Sequence, residues 1–118
     1  MARINLTVTE IVRAGVTRPA GQVPTDTGGL LAEFANDGRT IIEVTIGTGP
    51  RVLSVLTPGV VDADLAIGDR TLTGLASASV TLLGPFPPSI YSQGDGKVHL
   101  NGDAGQQAQY TFRAYRVP

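Results

Sequence analysis

The chain has 118 residues, of which 42% are apolar and only 16% charged. That is one domain's worth of material and too apolar for a disordered segment. Its 9 basic and 10 acidic residues leave a formal charge of −1, so no global positive field draws it to nucleic acid or anionic lipid. The absence of Cys excludes disulfide staples, thiolate metal centres and a Cys nucleophile, and the single His, His99, leaves little room for His-based chemistry. No catalytic residue, metal or cofactor is expected.

Thr, Val and Ile are abundant, and Gly and Pro punctuate the whole length. Such a composition suits many short strands joined by turns. In chain order, Ile4, Leu6 and Val8 alternate with polar residues and predict a half-buried strand. The same alternation, from Met1 onward, is unlike a signal peptide, and no run approaches the roughly 18 apolar residues of a membrane helix. The expectation is a soluble protein used in the compartment where it is made. Ala14 to Gly29 holds several Gly and Pro and few large apolar residues, which predicts an extended surface loop or arm. Gly28 to Ala35 could hold one helical turn. Asn36-Asp37-Gly38 suits a turn with positive φ, ahead of a strand carrying Ile42, Val44 and Ile46.

Val52 to Leu56 is apolar on both faces apart from Ser54, which suits a central strand. Pro58-Gly59 fits a type II turn. Asp62, Asp64 and Asp69 have the oxygen chemistry of a Ca²⁺ loop without its central Gly or terminal Glu, so turn-capping aspartates are the favoured reading. Thr71 to Leu75 is a weaker strand candidate. Ala78, Val80 and Leu82 alternate again and predict a strand with that face buried. Gly94-Asp95-Gly96 precedes a strand with Val98 and Leu100 flanking His99. Asn101-Gly102 is a hairpin-type dipeptide, but the next strand begins only near Gln109, so the loop is longer than a tight hairpin. Tyr110, Phe112 and Ala114 form the last strand. Together these predict an all-β fold: a single-domain β-sandwich or jelly-roll-like fold of seven to eight short antiparallel strands, spanning 1–118.

Leu83-Gly-Pro-Phe-Pro-Pro-Ser-Ile-Tyr91 is the most distinctive stretch. Its prolines remove amide donors and stiffen the backbone, so a central strand cannot continue there. It reads either as a crossover covering the end of the core or as a preorganised docking edge. All but one of the basic residues are Arg, which favours protein–protein contact. Arg3, Arg13, Arg113 and Arg116 could gather as a basic patch. His99, between Val98 and Leu100, reads as an ordinary strand histidine facing solvent or an interface.

Three stretches carry a resemblance: Ala2 to Thr9, Phe34 to Ile42, and Gly84-Pro-Phe-Pro-Pro-Ser-Ile-Tyr91 leading into Asp95 to Leu100. They resemble small capsid decoration or minor capsid proteins of tailed bacteriophages, in particular those infecting actinobacteria. The likeness spans most of the chain but not the Ala14–Gly29 arm or the Asn101–Gln109 loop. It implies a head decoration protein, made in the host bacterial cytoplasm and resident on the virion surface. Such a protein binds the major capsid protein and stabilises the shell by bridging its subunits, with self-trimerisation as an option and no enzymatic activity. The contact candidates are Arg13, Arg18, Phe86, Pro87, Pro88, Ile90 and Tyr91. The alternatives are a head–tail connector or tail-associated virion protein, and a carbohydrate-binding β-sandwich.

Overall fold

The computed structural model describes residues 3–57 and 69–117. Nine strands alternate with turns: β1 (Ile4–Asn5), β2 (Val8–Glu10), β3 (Leu30–Ala35), β4 (Thr40–Ile46), β5 (Arg51–Val55), β6 (Arg70–Leu75), β7 (Val80–Leu83), β8 (Lys97–Gly102) and β9 (Tyr110–Arg116). A one-turn helix, α1 (Pro88–Tyr91), and a 3₁₀ turn at Gln107–Gln109 complete the described elements. The strands form a five-stranded sheet, β1-β3-β8-β5-β6, and a four-stranded sheet, β2-β9-β4-β7. The fold is the predicted all-β sandwich, with nine strands among the described residues rather than seven or eight.

The core lies between the sheets. Phe34, Val98, Leu100, Leu53 and Val55 face Ile42, Val44, Ile46, Tyr110 and Phe112 across it, all at most 1% exposed. Each such large side chain is worth about 1.5–3 kcal/mol of burial. Strand β4 shows the cause most cleanly: Thr40, Ile42, Val44 and Ile46 are buried while Ile41, Glu43 and Thr45 lie on the outer face.

Four expectations need correction. The Ile4–Val8 alternation is not one strand, because the chain changes sheets at Leu6. β1 pairs with β3 and β2 with β9, and both pairings are parallel, so the sheets are mixed rather than purely antiparallel. Leu6, 3% exposed, enters the core at the step. The Gly28–Ala35 segment forms β3 and no helical turn. A register shift between Leu30 and Ala32 leaves both Leu31 and Ala32 buried, which breaks the period-2 pattern that would have marked it.

Asn101-Gly102 is the end of β8 and not a turn, although the long connection expected after it does run to β9 at Tyr110. Finally, Val80 and Leu82 are 55% and 65% exposed, so the buried face of β7 is the other one, ending at Leu83. Ala78 sits before this strand with φ 61°. The proposed Pro58-Gly59 turn, and with it Asp62 and Asp64, lies outside the described residues. The Oδ1 of Asp69 accepts from the Thr57 amide at 2.8 Å, a contact across twelve residues rather than a local turn cap.

The two lateral sides of the sandwich differ. On one, the edges β1 and β2 are successive pieces of one chain, which bridges the gap at Leu6. On the other, β6 and β7 are the edges, and among the described residues no strand pairs with the outer side of either.

Candidate functional site

The Ala14–Gly29 segment lacks regular structure apart from one antiparallel bridge, Gln22 to Phe112. It lies against the outer face of the four-stranded sheet. Arg18 and Arg113 both reach Glu43 Oε2, at 2.8 and 3.3 Å, and Arg113 Nε donates to the Pro19 carbonyl at 2.9 Å. Glu43 raises the Arg18 pKa, chiefly through this hydrogen bond. Arg18 is thus engaged within the chain, while half of its side chain stays in solvent.

Arg13 lies elsewhere. It lines a cavity of about 580 Å³ with Arg39, Arg116, Ile11, Val12 and Val117. Arg116 bridges Glu10 and Asp37, each at 2.8 Å. The four arginines near the termini therefore do not form one patch. Arg113 and Arg116 are paired with carboxylates, and Arg3 reaches the carbonyl of Leu100 and the side chain of Asn101.

The proline-rich crossover leaves β7 with Gly84 at φ 106° and a cis Gly84–Pro85 peptide. A Cβ at Gly84 would stand 2.9 Å from the Thr40 carbonyl, so only glycine fits that approach. Phe86 then drops into the core, 4% exposed, against Phe34 at 5.9 Å between ring centroids and Tyr91 at 5.4 Å. The backbone does not stay extended. Pro88 opens α1, where its missing amide costs nothing. Pro87 and Pro88 are exposed, and Ile90 and Tyr91 half-buried.

These residues border a groove of about 490 Å³ on the open side of the sandwich. Leu72 and Arg70 of β6 form one bank, Leu82 and Leu83 of β7 the other, and Phe86 and Tyr91 line the crossover end. Arg70 is exposed and has no ion pair among the described residues. The Arg13 cavity and the crossover flank the same turn, Asn36 to Arg39. Asn36 Nδ2 donates to Ser92 Oγ at 3.1 Å, and Arg39 lines the Arg13 cavity. The structure brings Arg13 and the crossover to one end of the sandwich and leaves Arg18 on a sheet face.

Two features escaped sequence reasoning. The alternation of Val80 and Leu82 predicts a core-facing stripe, whereas both side chains are exposed. His99 is not an isolated strand residue: its Nε2 lies 3.1 Å from Asp95 Oδ2 and 3.4 Å from Glu33 Oε2. The Lys97 amide, more than His99, holds the Asp95 carboxyl below its ordinary range. No helix among the described residues is long and apolar enough to cross a membrane. No protein-family model, curated protein or solved structure matches the chain.

Proposed function

We propose that the chain is a virion structural protein, a head decoration protein that docks on the major capsid protein of a tailed phage. The observation that carries this reading is the edge of β7, with which no further strand pairs among the described residues. Val80 and Leu82 stand 55% and 65% exposed on it, and Leu82 borders an apolar groove. A free strand edge offers backbone hydrogen bonds, and alternate apolar side chains give register to an added strand. The occupant is an extended apolar segment of the shell protein with a carboxylate opposite Arg70, the one charged residue lining the groove among the described residues. The stiff crossover keeps the groove preorganised, which lowers the entropy cost of docking. Each contact is modest, since fully burying one such side chain gives about 1.5–3 kcal/mol. A lattice of identical sites multiplies it. The identity of the partner rests on the resemblance of the Gly84–Tyr91 block and the two strand segments.

The tyrosines bear on the carbohydrate alternative. Tyr110 is fully buried and Tyr91 packs edge-on against Phe86, which leaves neither as an open stacking platform, and Tyr115 is half-buried.

Quantitative mass spectrometry of purified particles tests the reading. A copy number equal to the major shell protein, or a simple fraction of it, is expected. About six or twelve copies, the count of a single ring, would move the protein to the neck or tail, and absence from particles would overturn both virion readings. Leu82→Asp places a charge on an exposed site and should leave thermal unfolding nearly unchanged while abolishing attachment to shells. Attachment at wild-type level would show that the groove is not the contact.

A further inference from the structure

We propose that Glu33, Asp95 and His99 form a binding site for a zinc-type divalent metal ion on the outer face of the five-stranded sheet. The inference does not depend on the decoration reading.

The ladder makes the site. Glu33 of β3 and His99 of β8 are directly opposed partners, so their side chains leave the same face side by side. Asp95 comes from the turn that leads into β8. Its Oδ1 accepts the Lys97 amide at 3.0 Å, which fixes the carboxylate and leaves Oδ2 toward the imidazole. The three ligand atoms all lie within 4.8 Å of one another.

Two arguments point to a metal rather than a simple hydrogen-bonded trio. The first is donor arithmetic. His99 Nε2 carries at most one proton, in the neutral ring and in the imidazolium alike. Two carboxylate oxygens stand at 3.1 and 3.4 Å from that one nitrogen, and a single N–H serves only one of them well. A dication placed among the three atoms engages all of them at once.

The second argument is spacing. A tetrahedral ion with arms of 2.0–2.1 Å has ligands about 3.3 Å apart. The two nitrogen–oxygen separations already bracket that edge. An imidazole donor favours zinc and its neighbours over calcium or magnesium, which take oxygen ligands. Exposure fits too: the side chains of Glu33 and His99 are 21% and 19% exposed, while Asp95, at 47%, leaves room for a water as fourth ligand.

Lys97 is the built-in competitor. Its ammonium lies 3.9 Å from Glu33 Oε2 and opposes a second cation there.

The test is calorimetric titration of chelator-treated protein with zinc sulfate, with Co²⁺ absorption as a structural readout. One ion per chain is expected, with the strong visible bands of four-coordinate Co²⁺. His99→Gln and Glu33→Gln should each weaken zinc binding at least tenfold and abolish those bands. Lys97→Gln should tighten binding several-fold, an effect that a loss of folding could not imitate. Asp95→Asn, on an exposed turn, serves as a further ligand variant if a strand substitution unfolds the chain, and should also weaken binding tenfold. Absence of zinc binding, or equal affinity in wild type and the ligand variants, would overturn the proposal.

Discussion

At the scale of single residues, Tyr110 and Gly102 show how one polar atom in the core dictates its neighbours. Burial pushes the Tyr110 phenol pKa up, and its hydroxyl is fully used. It donates to the Val52 carbonyl at 2.6 Å and accepts the Asp103 amide at 3.1 Å, tying β9 to β5 and to the end of β8. The hydroxyl occupies the space where a side chain at position 102 would go. A Cβ there would meet Tyr110 Oη at 2.7 Å and Leu31 Cδ1 at 2.6 Å. This is why Asn101-Gly102, a turn signature by composition, ends a strand instead: the glycine is required for close approach and not for a bend. Gly102→Ala should therefore cost about 1–3 kcal/mol as an overpacked core position. Tyr110→Phe should cost about 1–3 kcal/mol by leaving buried backbone groups unpaired. In urea unfolding the double variant should be less destabilised than the two single effects added, because removing the hydroxyl relieves part of the clash. Strict additivity would mean that Leu31 alone makes the glycine necessary.

At the scale of elements, the sheet switch at Leu6 carries the most structure for its length. Leu6 donates its amide to the Glu33 carbonyl at 2.9 Å, completing the β1 ladder. The next amide, Thr7, has left that ladder and donates to Gln22 Oε1 at 2.8 Å, while Gln22 Nε2 reaches the Asn5 carbonyl at 3.4 Å. The backbone of Gln22 meanwhile exchanges two hydrogen bonds with Phe112, at 2.8 and 2.9 Å. The arm thus covers the stretch of β9 edge that β2 leaves open and fills the gap at the switch. Leu6→Ala should cost about 2–5 kcal/mol as a core truncation. Gln22→Ala should cost about 0.5–1.5 kcal/mol and speed amide exchange at Thr7. Unchanged exchange there would remove the glutamine from this role. Alternation made β4, β8 and β9 legible in the sequence, because each buries one clean face. It misjudged β7 because a period of two does not say which face is inward, and an edge strand can leave its apolar face in solvent. It missed β3 because the irregularity at Leu31 buries two consecutive residues. In the candidate site, the prolines from 85 to 88 announced the crossover. The groove beside it and the Glu33–His99 juxtaposition depend on strand order, which no local pattern contains.

At the scale of the whole molecule, the end that carries the crossover and the Arg13 cavity is also where distant parts of the chain are tied by charge. Arg116, near the end of β9, holds Glu10 of β2 and Asp37 of the β3–β4 turn together, each at 2.8 Å. Asp37 is the acid-sensitive member. The Arg39 amide donates to its Oδ1 at 2.9 Å, with the Arg116 guanidinium and the Thr40 hydroxyl adding to the effect, and its pKa is lowered from the ordinary carboxylate range. In the unfolded chain that carboxyl returns to about 3.9. The unfolded state therefore binds the proton first as pH falls. The stabilisation is complete above about pH 4–5 and disappears as pH drops through the lower folded value. The group is solvent-accessible, so the effect is screened and small. Thermal unfolding of the wild type should hold level from about pH 7 to 5 and then decline. Asp37→Asn should melt lower at pH 7 and show a shallower decline between about pH 5 and 3. Raised salt should narrow the difference between the two proteins at pH 7, because it screens the guanidinium contribution and leaves the amide hydrogen bond in place. Melting curves that fall in parallel for both proteins would assign the acid sensitivity to other carboxylates and reduce Asp37 to a turn former.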